Sequence, residues 1–384
     1  MSSEHMTSRE RLTAVLERRI PDHVPVMPDI SCMVPTRLTG KPFWDVFLYN
    51  DPPRWSAYLD AVKYFGIDSL MDCFDVQFVF EGLDTNTNLY DQTAIVFKND
   101  DRIVTQDYYE AGGKQHWAGY VHIYHRDNPP NMYFDPYKVK LPKVPDKFQK
   151  LEGVRKHPEG EELLKLIKTK LGDHGLIGVC CGTSMLVGTE QDILDFYDEP
   201  ERYYKRRDEL LEYYTKKFMK IMSLSCRPDF IATGGSGTLI FQTVETFREL
   251  GLPIVKKMTA LAKEHGLPSH IHSCGPEKAL VKICAEETDL TVIDPLEIPP
   301  MGDCDLKELK RLFGHKLVLK GNLHTTNVML RGSVQDVRDA CKRAIDDAAE
   351  GGGFILSTGD QCGRDTPDDN IFAMVETAKT YGRY

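Results

Sequence analysis

Residues 269–275 read SHIHSCG, two histidines and a cysteine within five positions. In an extended strand, alternation sends His270, His272 and Cys274 to one side, and His272 and Cys274, two apart, can grip one ion. Imidazole nitrogen and thiolate sulfur are donors that zinc takes in a tetrahedral set, and a catalytic site leaves one position open. One His-x-Cys pair has an equally plain reading as a packed histidine beside a buried thiol, so further donors matter. Cys362 in STGDQCG is a third soft candidate, and Glu297 at the end of TVIDPLE can supply a carboxylate oxygen. His270, one pleat deeper, is expected to back the ligands or pack in the core. His324 in GNLHTT falls at another strand end, where it is either a site residue or a satisfied loop histidine. His116, His122 and His125 read as packing or surface residues.

Such a cluster needs strands whose ends meet on one rim. The second half alternates short apolar runs with helical patterns: DFIATGG (229–235), SHIHSCG, LTVIDPLE (290–297), KLVLKGN (316–322) and GFILSTGD (353–360), each separated by a helix-like stretch. Upstream, HVPVMPDI (23–30), DSLMDCFDV (68–76) and GLIGVCCGTS (175–184) add three strand candidates. Repeated βα units of this number predict an α/β fold, a (β/α)8 TIM barrel over residues 1–384 as one domain, with functional residues at the C-terminal ends of its strands. The alternative, an open doubly wound sheet, lacks its glycine-rich dinucleotide turn. Between about 90 and 145 the rhythm changes to alternating β-type runs with turns at NDD and AGG, which predicts an inserted antiparallel β-hairpin and an extended connection.

Composition narrows the function classes. With 384 residues, 41% hydrophobic, the chain can bury a large core. Its net charge of −10 arises from 48 basic and 58 acidic residues that are interspersed, so no basic stripe suggests nucleic acid. No run approaches the roughly 20 apolar residues of a membrane span, and a cytoplasmic location is expected. Of the ten cysteines, all but Cys274 and Cys362 sit in apolar or helical contexts as small buried hydrophobes.

The opening SRERLTAVLERRIPDHVPVMP, the block HSCGPEKALVKICAEETDLTVIDPLE, the segment LKELKRLFGHKLVLKGNL and the closing GGGFILSTGDQCGRDTPDDNIFAMVETAKTYG resemble the uroporphyrinogen decarboxylase superfamily. Within it they are similar to the zinc-dependent methyltransferases that work with corrinoid proteins. That resemblance implies zinc held by His272, Cys274 and Cys362, with Glu297 or Asp294 as a carboxylate ligand. The decarboxylase branch binds a tetrapyrrole through an arginine-rich loop after the first strand, whereas SCMVPTRLTGKPF here contains only Arg37. Asp75 in CFDV resembles the aspartate that branch places after its second strand for pyrrole N–H groups.

The resemblance therefore implies a methyltransferase moving a methyl group between a small methylated substrate, such as a methyl ether in O-demethylation, and the cobalamin of a separate corrinoid protein. The chain has no DxHxxG cobalamin signature, which favours a partner over a resident corrinoid. Tyr108, Tyr109, Trp117 and Tyr120 are either an apolar pocket for an aromatic ether or packing within the hairpin. Two rivals are a metal-independent decarboxylase-like carboxy-lyase and a zinc-stabilised binding protein, the latter lacking its paired Cys-x-x-Cys units. Formation of a homodimer is left open.

Overall fold

The computed structural model describes residues 6–71, 78 and 89–384. The chain lays down β1 (Ser69–Met71), then β2 (Gln92–Lys98), β3 (Arg102–Ala111), β4 (Lys114–Trp117), β5 (Val121–His125), β6 (Asn131–Phe134) and β7 (Gln149–Lys150). It continues with β8 (Gly175–Cys180), β9 (Phe230–Ala232), β10 (Ser269–His272), β11 (Val292–Asp294), β12 (Val318–Leu323) and β13 (Phe354–Thr358). A curled parallel sheet runs β1-β8-β9-β10-β11-β12-β13, with helices between successive strands. Residues 24–27 join its two edges. Met27 N–H donates to the Leu356 carbonyl at 2.8 Å and Leu356 N–H to the Pro25 carbonyl at 2.9 Å, while Asp68 N–H donates to Val26 at 2.9 Å.

Alternation along these strands separates two cores. Met27, Leu70, Leu176, Phe230, Val292, Val318 and Ile355 form one apolar cluster inside the curl, close to one residue per strand. Leu12, Val15 and Leu16 of the helix Ser8–Leu16 plug it from below. Each such side chain contributes about 1.5–3 kcal/mol by leaving water. The plug is fixed at its start by a capping box between Thr7 and Glu10. Buried Arg11 pins it further, lying 2.7 Å from Asp22 and 2.6 Å from Asp68. On the outer face, Ile177, Ile231, Ile271, Ile293 and Leu319 pack against the helices in a larger cluster. Gly178 is required by close packing: a Cβ there would lie 2.3 Å from the Phe230 ring.

Moving up the inward-facing positions, the lining changes from apolar to charged. His270 sits beside Val292 and its ring lies 6.0 Å from that of Phe230, so it belongs to the top of the apolar layer. His272 then pairs in register with Asp294, and Lys320 on β12 reaches the same level.

The stretch expected to form a hairpin is a larger antiparallel sheet, ordered β6-β5-β3-β2-β7 with β4 on β3. It meets the strand-end loops where Phe43 N–H donates to the Arg126 carbonyl at 2.6 Å and Arg364 donates to Asp127 at 2.6 Å. Its aromatic residues pack on one another. The Tyr108 and Trp117 rings are 4.7 Å apart, Tyr109 stacks on His116 at 4.7 Å, and Tyr120 lies 5.2 Å from His122. His122 is buried, held by Asp107 at 3.2 Å and accepting Tyr133 N–H at 3.2 Å. No helix among the described residues is long and apolar enough to cross a membrane.

Candidate metal centre

His272, the last residue of β10, is buried, and the chain leaves the strand there so that Cys274 reaches the rim half-buried. Two overlapping groups of donor atoms meet at this point. One comprises His272, Asp29 and Asp360; the other comprises Cys274, Glu297 and Asp360; within each group the atoms lie within 4.8 Å of one another. Asp360 belongs to both.

Each residue is placed by its strand. Asp29 follows the closing segment 24–27, and its N–H donates to Thr358 Oγ1 at 3.0 Å. Asp360 follows β13 with φ of 141°, a region that costs a non-glycine residue about 1–3 kcal/mol. The Thr358 hydroxyl donates to its carbonyl at 2.7 Å. Glu297 follows β11 and accepts the Gly275 N–H on Oε2 at 2.6 Å, tying its carboxylate to the loop that carries Cys274. The Cys274 thiol lies 2.9 Å from the Ser236 hydroxyl.

Behind these groups stands a buried ionic network. Asp294 accepts from His270 Nε2 at 2.8 Å, lies 3.4 Å from His272 Nδ1 and pairs with Lys320. Burial opposes its charge, but Lys320, His270 and His272 hold the carboxyl well below its ordinary range. Burial likewise opposes a charged His272, yet Asp294, the Cys274 contact and Asp29 push its imidazole well above the usual value. With Nδ1 facing Asp294, Nε2 is directed to the rim, 3.6 Å from Asp360. A carboxylate on one nitrogen is the arrangement that orients a histidine toward a metal through the other. Burial raises the carboxyl groups of Asp29 and Glu297, partly offset for Glu297 by the Gly275 N–H.

The sequence-predicted residues divide accordingly. His272, Cys274 and Glu297 come together, and His270 supports them through Asp294. Cys362 lies outside both donor groups but borders them: its N–H donates to the Asp29 carbonyl at 2.7 Å, and its thiol is fully buried. Burial, with Asp29 and then Asp360 nearby, pushes that thiol up to about 12. Asp294 lies beneath the cluster as part of the ionic network. His324 caps the turn Thr325–Leu330, where its Nδ1 accepts the N–H groups of Thr326 and Asn327, both at 3.2 Å. Asp75 lies outside the described residues. Arg37 pairs with Asp368 across to the helix Asp368–Thr380.

Sequence reasoning missed Asp29, Asp360 and Lys320. Asp29 is the penultimate residue of HVPVMPDI and Asp360 the last of GFILSTGD, two stretches expected to be strands, so the rule that functional residues gather at C-terminal strand ends points at both. Lys320 had a signal of its own, a lysine at an inward position of the apolar run KLVLKGN. Thiol, imidazole and carboxylate donors converging on a half-open rim fit zinc by chemistry and number.

The sequence profile of the uroporphyrinogen decarboxylase (URO-D) family matches residues 126–381, and the chain belongs to that family. Among solved structures it is similar to a methyltransferase from Methanosarcina mazei, with TM-score 0.60 and 16% identity over 98% of this chain and 99% of that one. This likeness shows a shared fold. A B12-independent methionine synthase from Shewanella sp. W3-18-1 aligns with TM-score 0.43 and 10% identity, covering 94% of this chain and 98% of that one. No curated protein matches the sequence.

Proposed function

We propose that the protein is a zinc-dependent methyltransferase that moves a methyl group between a small methylated substrate and the cobalamin of a separate corrinoid protein. The observation that carries this reading is the convergence of His272, Cys274, Glu297 and Asp360 at one rim above a buried Asp294–Lys320 pair. His272 and Cys274 would hold the ion, with Cys362, two residues beyond Asp360, as the third ligand. Glu297 and Asp360 are carboxylates that can fill the remaining position until substrate displaces them. Bound zinc supplies Lewis acidity, which stabilises a thiolate or the leaving oxygen of a methyl ether.

The chain's own residues do the rest. Asp294 fixes the His272 ring, and Lys320 balances the charge of Asp294, so the donors are set before a ligand arrives. The apolar floor around Phe230 and the plug helix keeps bulk water from entering from below. Glu297, its carboxyl raised by burial, is placed to accept or return a proton at the rim. The likeness to the Methanosarcina mazei methyltransferase supports the fold on which this chemistry would run.

Family membership also supports a second reading, a metal-independent carboxy-lyase acting on a carboxylated pyrrole, with Asp75 as its N–H acceptor. The salt bridge of Arg37 with Asp368 counts against it, because that arginine is engaged within the protein. The deciding experiment incubates purified protein with methylated donors and a cobalt(I) corrinoid protein, following the spectrum of methylcobalt formation before and after chelation. Methyl exchange that stops on chelation and returns with zinc is expected. Carbon dioxide release from a carboxylated porphyrinogen, unaffected by chelator and without methyl exchange, would replace this reading with the second.

A further inference from the structure

The turn that follows β9 reads GGSG at 234–237, so Ser236 carries its only side chain. The glycines answer to their surroundings. A Cβ on Gly234 would lie 2.6 Å from the Ile271 side chain of β10, and Gly237 has φ of 75°, which favours a residue without a side chain. The turn therefore lies close against the strand that ends in His272, with Ser236 exposed at the rim.

Both neighbouring loops hold this turn. On the β8 side, the Gly235 N–H donates to Ser184 Oγ at 2.8 Å, and that hydroxyl lies 2.6 Å from Thr238 Oγ1. On the β10 side, the Thr238 N–H donates to Ser273 Oγ at 2.9 Å and the Leu239 N–H to Glu277 Oε1 at 3.0 Å. Ser184, Thr238, Ser273 and Glu277 are all buried, so water does not compete for these bonds. Ser273, which anchors the turn, is the neighbour of Cys274, which the turn's hydroxyl touches: Ser236 Oγ stands 2.9 Å from Cys274 Sγ.

A sulfur that ligates a metal is a thiolate and has no proton to give, so once zinc is bound the Ser236 hydroxyl is the donor. Hydrogen bonds to charged acceptors are the strong ones. Water at an open rim could offer the same bond, but it is displaced when a substrate or partner covers the rim. The serine stays, because its flanking backbone is already ordered.

We infer that Ser236 is a positioning residue of the metal centre, donating its hydroxyl hydrogen to the Cys274 sulfur so that the thiolate is oriented and part of its charge is drawn from the ion. This role rests on the reading of Cys274 as a zinc ligand. With that charge shared, the sulfur neutralises bound zinc less and leaves it a stronger Lewis acid.

Cobalt(II) serves as the probe, since sulfur-to-cobalt charge transfer in the near ultraviolet reports the thiolate directly. Metal-free, full-length parent, Ser236→Ala, Ser236→Thr and Cys274→Ala proteins are titrated with cobalt(II), and zinc affinity is measured by competition with a chelator. Ser236→Ala should move the Cys274-dependent band to longer wavelength and weaken zinc binding about tenfold. Ser236→Thr keeps the hydroxyl and should restore both. The exposed position predicts an unchanged urea midpoint for metal-free Ser236→Ala, which separates a lost hydrogen bond from a loosened loop. If Ser236→Ala matches the parent in band and affinity, or loses affinity with an unmoved band, or is not rescued by threonine, Ser236 has no such role and the zinc reading stands. A parent spectrum with no band that Cys274→Ala removes overturns the reading of Cys274 as a ligand, and the role of Ser236 with it.

Discussion

Replacing Asp294 by asparagine tests the ionic network beneath the rim. Asp294 and Lys320 are 1% and 3% exposed, so neither can fall back on water when its partner is lost. Asp294→Asn keeps the shape but removes the charge that faces Lys320, His270 and His272. Breaking one side of a buried pair costs about 3–5 kcal/mol, a large part of the ~5–15 kcal/mol that holds such a fold together. The single variant should therefore unfold at a much lower urea concentration than the parent, with little change in slope. Lys320→Met removes the stranded charge, and Asp294→Asn combined with Lys320→Met should recover about 2 kcal/mol relative to the sum of the two single effects. Equilibrium urea unfolding of the four metal-free proteins completes the cycle. If Asp294→Asn stays within about 1 kcal/mol of the parent and shows no coupling to Lys320→Met, the network does not organise the site and the reasoning fails.

Other expectations follow from the same geometry. Zinc content by mass spectrometry should fall about 10–100-fold more in affinity for His272→Ala than for His270→Ala, since only His272 reaches the donor cluster; equal losses would mean the wrong histidine has been assigned. Metal-free protein should lose stability in acid, because Asp22, Asp229 and Asp294 have lowered folded-state values despite opposing burial. Such groups stabilise above their unfolded value of about 4 and stop doing so as pH falls through the folded value. The raised His272 works in the opposite sense, fully stabilising below about 6.5 and losing that contribution as pH rises through its folded value. Urea midpoints against pH should show both limbs, and Asp294→Asn should flatten the acid one. Gly178→Val should destabilise the fold by about 1–3 kcal/mol through collision with Phe230, and adding Phe230→Leu should restore part of it in thermal unfolding.

Much of the site was legible because alternation is a local rule. SHIHSCG places His272 and Cys274 together without knowledge of anything distant, and LTVIDPLE puts Glu297 at the end of the next strand. Asp29 and Asp360 are harder to recognise, since one aspartate at a strand end is commonplace and its meaning depends on which strand ends become neighbours. Their proximity comes from the closing contact between residues 24–27 and β13, a tertiary fact that periodicity does not encode. His324 shows the converse: its position at the end of β12 suited a site, while its ring serves a local cap. The antiparallel sheet exceeded the expected hairpin because β4 and β6 have four residues each and β7 only two, too few for alternation to stand out.

The seam joining residue 26 to residue 356 also sets an order of events during synthesis. The pairing partner of one of the earliest segments is made nearly last, so the ring cannot close on a nascent chain that still lacks β13. Asp29 waits beside an open edge until Asp360 has emerged, and at about 5–20 residues per second that interval lasts many seconds. The Cys274 loop is meanwhile translated without its full complement of donors. Completion of the donor cluster and of the fold thus fall at the same late moment, and a C-terminal truncation before residue 354 would cost the protein its ring and its donor cluster together.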